Sequence, residues 1–239
     1  CNIKFQEIDY PIKIKKINPT MINLINVEYN QKKIFDKISK KSNTYIKKSF
    51  EIALQILKKK ITNKFINGPI SKKFFLEKSF SGITEYLSKK TNSKNIAMII
   101  YNKSLSVSPL TTHLPVKKIT KKIKRSTIID KIKVINSFWI KHFKNKPKIG
   151  VTGLNPHCES TDNFNEDEKI IKPTIKFLKE NKYNISGPFP ADTIFLKDNR
   201  KKFNVVVGMY HDQVLAPIKT LFEYEAINIT AGNGPEILY

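Results

Sequence analysis

One stretch restricts the fold more than any other: an apolar, β-branched run that ends on ionisable residues. Val205-Val206-Val207 leads through Gly208 and Met209 into Tyr210-His211-Asp212-Gln213. Three consecutive valines leave no polar face, so the run reads as a strand buried on both sides, as in the middle of an α/β sheet. Chemistry in such a sheet collects outside the carboxyl ends of its strands, which is where Tyr210 to Gln213 fall. Lys219 follows a few residues later.

Similar runs alternate with helical patterns along the chain. Phe65-Ile-Asn-Gly-Pro-Ile70, Ile96 to Tyr101, Leu105 to Leu110, Lys148 to Gly153 and Ala226 to Thr230 have strand character. Ile46, Phe50, Ala53, Leu57 and Ile61 form one helical stripe, capped by Asn43 or Thr44. Ile128, Ile132, Ile135, Trp139 and Phe143 form a second, with Pro147 beyond its end. Shorter helices are predicted from Ser71 to Leu76, from a Thr84 cap after the Ser81-Gly82 turn, and from about Glu166 to Asn181. Pro173 either kinks that last helix or begins its main segment. Gly187-Pro-Phe-Pro190 reads as a rigid loop, and residues 1–41 as strands or loops. No internal repeat is visible. The alternation predicts an α/β fold, a sheet flanked by helices on both faces.

Charge raises a competing idea. The 239 residues carry a formal net charge of +24, which would suit a polyanion partner. The basic residues are almost all Lys, however, with arginine only at Arg125 and Arg200. Without the planar guanidinium fork, specific reading of phosphates and base edges is poorly served. The lysines are also scattered, so a solvated basic surface is the better reading and nucleic acid is disfavoured as a partner. No apolar run is long enough to span a bilayer, and the N-terminus carries no signal-peptide core. Cys1 and Cys158 cannot build a disulfide framework, which suits a cytoplasmic location.

His113, His157 and His211 each follow a strand-like run by a few residues, whereas His142 lies inside the Trp139 helix. Strand ends share a crevice in an open α/β sheet, so the three can converge. Three neutral imidazoles suit zinc or another divalent metal with open positions for substrate. The alternative is that each caps a strand end or bonds a nearby carbonyl, but three matching contexts favour the metal. Asp212, Asp192 and Glu159 are placed to orient an imidazole or relay a proton. Thr84 and Lys219 are candidate anion binders. Gly-x-Gly-x-x-Gly, Gly-Lys-Ser/Thr and Gly-x-Ser-x-Gly signatures are absent, which argues against a dinucleotide fingerprint, a P-loop and a hydrolase elbow.

Seven collinear segments carry a resemblance over about residues 42–230. They are Asn67-Gly-Pro-Ile-Ser-Lys72, Gly82-Ile-Thr-Glu-Tyr-Leu87, Thr111-Thr-His-Leu-Pro115, Gly153-Leu-Asn-Pro-His157, Gly187-Pro-Phe-Pro-Ala-Asp-Thr193, Met209-Tyr-His-Asp-Gln213 and Asn228-Ile-Thr230. Together they resemble the 4-hydroxythreonine-4-phosphate dehydrogenase family of pyridoxal phosphate biosynthesis. The resemblance implies an isocitrate/isopropylmalate dehydrogenase-like fold of two closely associated lobes, in a homodimer that shares its metal site across the interface. It implies oxidation of 4-phosphooxy-threonine by NAD⁺ or NADP⁺, then decarboxylation to 3-amino-2-oxopropyl phosphate. It places the divalent metal (Zn, Mg or Co) on His113, His157 and His211. Substrate contacts fall on Thr84, Lys219 and Asn228, with Asp192 and Asp212 near the reacting centre.

Three departures qualify the match. Ile83 stands where the family has His. After Thr230 the pattern breaks, with Ile237 near the place of a phosphate-binding Arg. The family also has a Gly-Pro-rich strand–helix unit before the first match, so residues 1–239 are expected to form a single dehydrogenase-type domain truncated at both ends. Two other readings follow from this: a dehydrogenase of another four-carbon hydroxy-acid phosphate, or a non-catalytic fragment that keeps metal or phosphate binding.

Overall fold

A computed structural model of the chain describes residues 3–11, 17–31, 33, 36–76, 80, 82–93, 95–161, 164–232 and 236–238, with the backbone alone at Lys72 and at 236–238. Cys1, Ser81 and the Asn233 to Pro235 part of the C-terminal stretch lie outside the described residues. The chain divides into two compact units, residues 1–65 with 69–80, and residues 66–68 with 81–239.

In the first unit, β1 (Phe5–Glu7) and β2 (Ile22–Leu24) pair in parallel. The helix α1 (Asn43–Lys58) buries Phe50 and Leu57. Phe50 stacks on Phe75 and meets Phe65 edge-on, both with ring centroids 5.7 Å apart. The predicted cap is corrected here: Ser42 precedes the helix without a capping bond, and Asn43 donates its amide to Phe74 O at 2.8 Å. The stripe also ends early, since Lys60 turns to φ 57° and leaves Ile61 beyond the helix. The Ser71 to Leu76 helix is a single π-turn, Lys72–Leu76. The strand β3 (Lys64–Ile66) begins in this unit.

The second unit holds α2 (Ile83–Thr91), β4 (Ile96–Tyr101), β5 (Ser106–Thr111), α3 (Arg125–Phe143), β6 (Ile149–Thr152), α4 (Lys172–Glu180) and β7 (Ile185–Phe189). It continues through α5 (Ala191–Ile194), α6 (Lys197–Arg200), β8 (Val205–Tyr210), α7 (His211–Phe222), β9 (Ile227–Gly232) and β10 (Glu236–Leu238). Within this unit the strands run in the order β10-β9-β4-β5-β8-β6-β7. β5, β8, β6 and β7 are mutually parallel, while β4 runs against both β5 and β9.

Strand alternation sends successive side chains to two cores. Val205, Val207 and Met209 join Ile149, Val151 and the Ile128-Ile132-Ile135 stripe of α3, with Ile171 and Ile175. Val206 faces the other way, towards Val214 and Ile218 of α7 and Ile194 of α5. Truncating one such isoleucine to alanine costs about 2–5 kcal/mol, so the valine run and the α3 stripe fix the layer order together. His142 is exposed on α3, its ring against Phe138.

Two expectations are overturned. Gly187 to Phe189 are strand, because β7 is the last strand in the order and an edge tolerates the missing N–H of Pro188. Gly187 sits at φ +130°, and a Cβ there would lie 2.4 Å from Val151 O. Thr84 does not cap α2: Gly82 holds that position in extended backbone, and Thr84 lies inside the first turn. Pro173 begins the main segment of its helix, following a π-turn over Asp167–Ile171. No helix among the described residues is long and apolar enough to cross a membrane.

Candidate active site

Four parallel strands release their chains at one sheet edge. His113 follows β5, His211 opens α7 directly after β8, His157 lies in a turn after β6, and Asp192 is in the first turn of α5 after β7. The order β5-β8-β6-β7 makes these neighbouring strand ends.

His113 and His211 come together, with ring centroids 5.6 Å apart and planes inclined by 40°. Each presents Nδ1 to a carboxylate. Asp212 Oδ1 lies 2.6 Å from His211 Nδ1, and Glu85 Oε1 lies 3.5 Å from His113 Nδ1. The Thr112 hydroxyl donates to the same Glu85 oxygen at 3.2 Å. Engaging Nδ1 fixes the ring and leaves Nε2 free, which is how metal-ligating imidazoles are oriented. Two imidazoles held this way supply part of the donor set that a divalent metal takes. The hydrogen bond with His113 holds the Glu85 carboxyl below its ordinary value, against the opposing effect of burial. Gly82 leaves room for the Glu85–His113 contact, since a Cβ there would sit 2.8 Å from Glu85 Oε2 and 3.1 Å from His113 Cε1.

His157 shares the edge but is exposed, at φ 57° within the turn Pro156–Cys158. Among the described residues no three His, Cys, Asp or Glu side chains gather closely enough to hold a metal ion. The turn is nonetheless anchored. Asp167, with no exposed surface, accepts from Leu154 N at 2.8 Å, Asn155 N at 3.1 Å and Asn155 Nδ2 at 3.0 Å. Burial, then the Asp167 charge, pushes the Cys158 thiol up, so it is a poor nucleophile.

The predicted substrate contacts are more dispersed. Thr84 is buried, its Oγ1 3.4 Å from that of Thr230 on β9. Asn228 is two residues earlier on the same face of β9, and its buried Oδ1 has no hydrogen-bond partner. Lys219 lies two turns along α7 from His211, about 12 Å down the axis. Its ammonium donates to Glu223 O at 3.2 Å and lies 5.8 Å from the Tyr224 ring. Asp192 and Glu159 are exposed and make no contact with an imidazole ring, whereas Asp212 does.

Sequence reasoning gave no individual role to Glu85, Asp167, Gln213 or Lys131. Glu85 had a faint signal, an acid in the first turn of a helix inside a quoted motif. Asp167 stands among the acids Glu166 and Glu168, with nothing to mark it as the buried one. Lys131 flanks the apolar stripe of α3, half-buried, and donates to Ile96 O at 3.0 Å. Burial pushes its ammonium down to about 8, with the Glu85 charge opposing.

A family model described as pyridoxal phosphate biosynthetic protein PdxA matches residues 1–234. The chain is 37% identical over 237 residues to the 4-hydroxythreonine-4-phosphate dehydrogenase of Sulfurihydrogenibium sp., covering 96% of this chain and 73% of that one. This chain belongs to the PdxA family. Family membership makes it a relative of oxidoreductases that serve pyridoxal phosphate biosynthesis. The PdxA-family structure of 4-hydroxythreonine-4-phosphate dehydrogenase from Klebsiella pneumoniae superposes with TM-score 0.81 at 25% identity, over 99% of this chain and 74% of that one. A D-threonate 4-phosphate dehydrogenase from Pectobacterium atrosepticum is 35% identical, over 64% of this chain and 47% of that one.

Proposed function

We propose that the protein oxidises 4-phosphooxy-L-threonine with NAD⁺ or NADP⁺ in a metal-dependent reaction. The resulting β-keto acid loses carbon dioxide to give 3-amino-2-oxopropyl phosphate. The observation that carries this is the His113–His211 pair, each ring held at Nδ1 by a carboxylate, on the strand ends of a PdxA-family sheet. His113, His157 and His211 would hold the divalent ion, and imidazole donors suit zinc or cobalt better than magnesium. Bound there, the ion would supply Lewis-acid polarisation of the substrate hydroxyl.

The remaining roles belong to this chain's own groups. Asp212 orients His211, and Glu85 with Thr112 orients His113. Asp192 and Asp212, which closely follow β7 and β8 along the chain, are the candidates to move the substrate's hydroxyl proton. Thr84, Lys219 and Asn228 are the substrate-binding candidates. Thr84 adds a hydroxyl in the first turn of α2, and Asn228 offers an uncommitted amide oxygen. Two histidines paired while the third stands apart suits a homodimer in which a second copy completes the site. An isocitrate/isopropylmalate dehydrogenase-like fold and a cytoplasmic location belong to the same reading.

A second substrate has its own support. Ile83, buried beside Thr84, is apolar where the family pattern has His, and one relative is a D-threonate 4-phosphate dehydrogenase. Cofactor reduction with the two phosphorylated acids decides between them. The reading predicts turnover of 4-phosphooxy-L-threonine that a chelator abolishes. Preference for D-threonate 4-phosphate would keep the reaction and change the substrate, and no turnover of either acid by metal-loaded protein would refute the dehydrogenase.

A further inference from the structure

The main-chain ladder between β6 and β8 stops before the strands do. Its last paired residues are Val151 and Val207, whereas β5 stays paired with β8 as far as Thr111 and Tyr210. The two chains then leave on opposite faces. The segment after β6 leads to α4, whose Ile175 and Leu178 pack in the α3 core, while β8 turns into α7, whose Val214 and Ile218 pack in the other. Adjacent parallel strands whose helices lie on opposite faces open a crevice at their carboxyl ends. His157 and His211 follow these two strands.

The Gln213 side chain spans this gap. It is buried, at 8% exposure. Its Oε1 accepts from Met209 N of β8 and from the Thr152 hydroxyl of β6, both at 2.7 Å. Its Nε2 donates to Gly153 O at 2.8 Å. The amide thus replaces the missing rungs of the ladder, accepting from one strand and donating to the other as a peptide group would. Gly208 admits α7 to this position, since a Cβ there would lie 2.4 Å from Val214 Cγ1 and 3.2 Å from Gln213 Oε1. Asp167 holds the next two amides, Leu154 N and Asn155 N. The segment from Gly153 to His157 is therefore tied by Gln213 at its start and by Asp167 just after.

We propose that Gln213 is a positioning residue that sets the separation of the His157 and His211 segments across this crevice. Its consequence for metal affinity rests on the three-histidine reading above. Gln213→Leu keeps the bulk and removes both halves of the bridge, leaving Met209 N, Gly153 O and the Thr152 hydroxyl unpaired.

Two measurements on the full chain test it. In metal-free protein, amide exchange across Gly153–Cys158 should quicken about tenfold in Gln213→Leu, with the amides of β4 and β9 unchanged. In a cobalt titration read by visible absorption, the variant should bind on the order of 10–100-fold more weakly, with an altered spectrum. In a His157→Ala background the same change should add no further loss. Unaltered exchange at Gly153–Cys158, or a uniform rise everywhere, would overturn the proposal as mere loss of stability. Equal cobalt binding by wild type and Gln213→Leu would overturn the positioning role alone. A wild type that takes up no cobalt would overturn the metal reading and this role with it. Should the leucine variant not fold, Thr152→Val removes one donor to the same amide and should show a smaller change in the same peptides.

Discussion

Replacing Lys131 by Met should stabilise the protein near neutral pH and lose that advantage as the pH rises. Lys131 is half-buried on α3, and its ammonium pKa falls from 10.5 to about 8. At about 1.4 kcal/mol per pKa unit, keeping it charged in the folded state costs about 3 kcal/mol at pH 7. Its bond to Ile96 O offsets roughly 1 kcal/mol, which Met forfeits. Met should therefore gain about 2 kcal/mol at pH 7.

The sign follows from proton binding. Between about 8 and 10.5 the unfolded chain holds the proton that the folded chain has released, so wild-type stability rises with pH across that window. By about pH 10 the remaining penalty is roughly 1 kcal/mol, equal to the lost hydrogen bond, and the two proteins should be equally stable. Urea unfolding of both proteins at several pH values in this range measures the difference directly. A difference that does not change with pH, or a methionine variant less stable at pH 7, would refute the reasoning.

Two further changes probe the site's supports. The Glu85 carboxyl is held below its ordinary 4.5, so its contribution to stability is complete above that value and is lost as the pH falls through the folded one. Glu85→Gln should flatten the acid limb of the stability curve below pH 4.5 and weaken cobalt binding about tenfold, read by unfolding and by titration. Asp167→Asn turns an amide donor towards Leu154 N or Asn155 N, and should lower the unfolding free energy by about 2–3 kcal/mol in urea.

The legible parts of the sequence were those where a period or a run admits one physical solution. Val205 to Val207 could only be a doubly buried strand, and Ile128, Ile132, Ile135 and Trp139 only a packed helix face; all are buried. Local rules failed where tertiary surroundings overrode them. Gly187-Pro188 has loop chemistry, yet an edge position lets it stay in β7. Thr84 looks like a cap, yet its hydroxyl lies beside Thr230, far along the chain.

At the site, the placement of His113, His157 and His211 after strands was legible from the runs they follow, and the Asp212 contact with His211 from adjacency. Glu85, Asp167 and Gln213 act through partners well separated in sequence, so nothing local marks which acid or amide will be buried. The converse holds for Lys219, which follows the Tyr210 to Gln213 cluster closely in sequence, yet its ammonium lies at Glu223 O and the Tyr224 ring.

The central claim is that His113, His157 and His211 serve one metal. Metal content after purification and zinc or cobalt titration, compared between wild type and single alanine variants of the three histidines, test it most directly. The account predicts stoichiometric uptake by wild type. Each single variant should bind at least about tenfold more weakly, because each removes a direct ligand where even an outer partner is worth that much. Undiminished uptake by His211→Ala, or by His157→Ala, would contradict it.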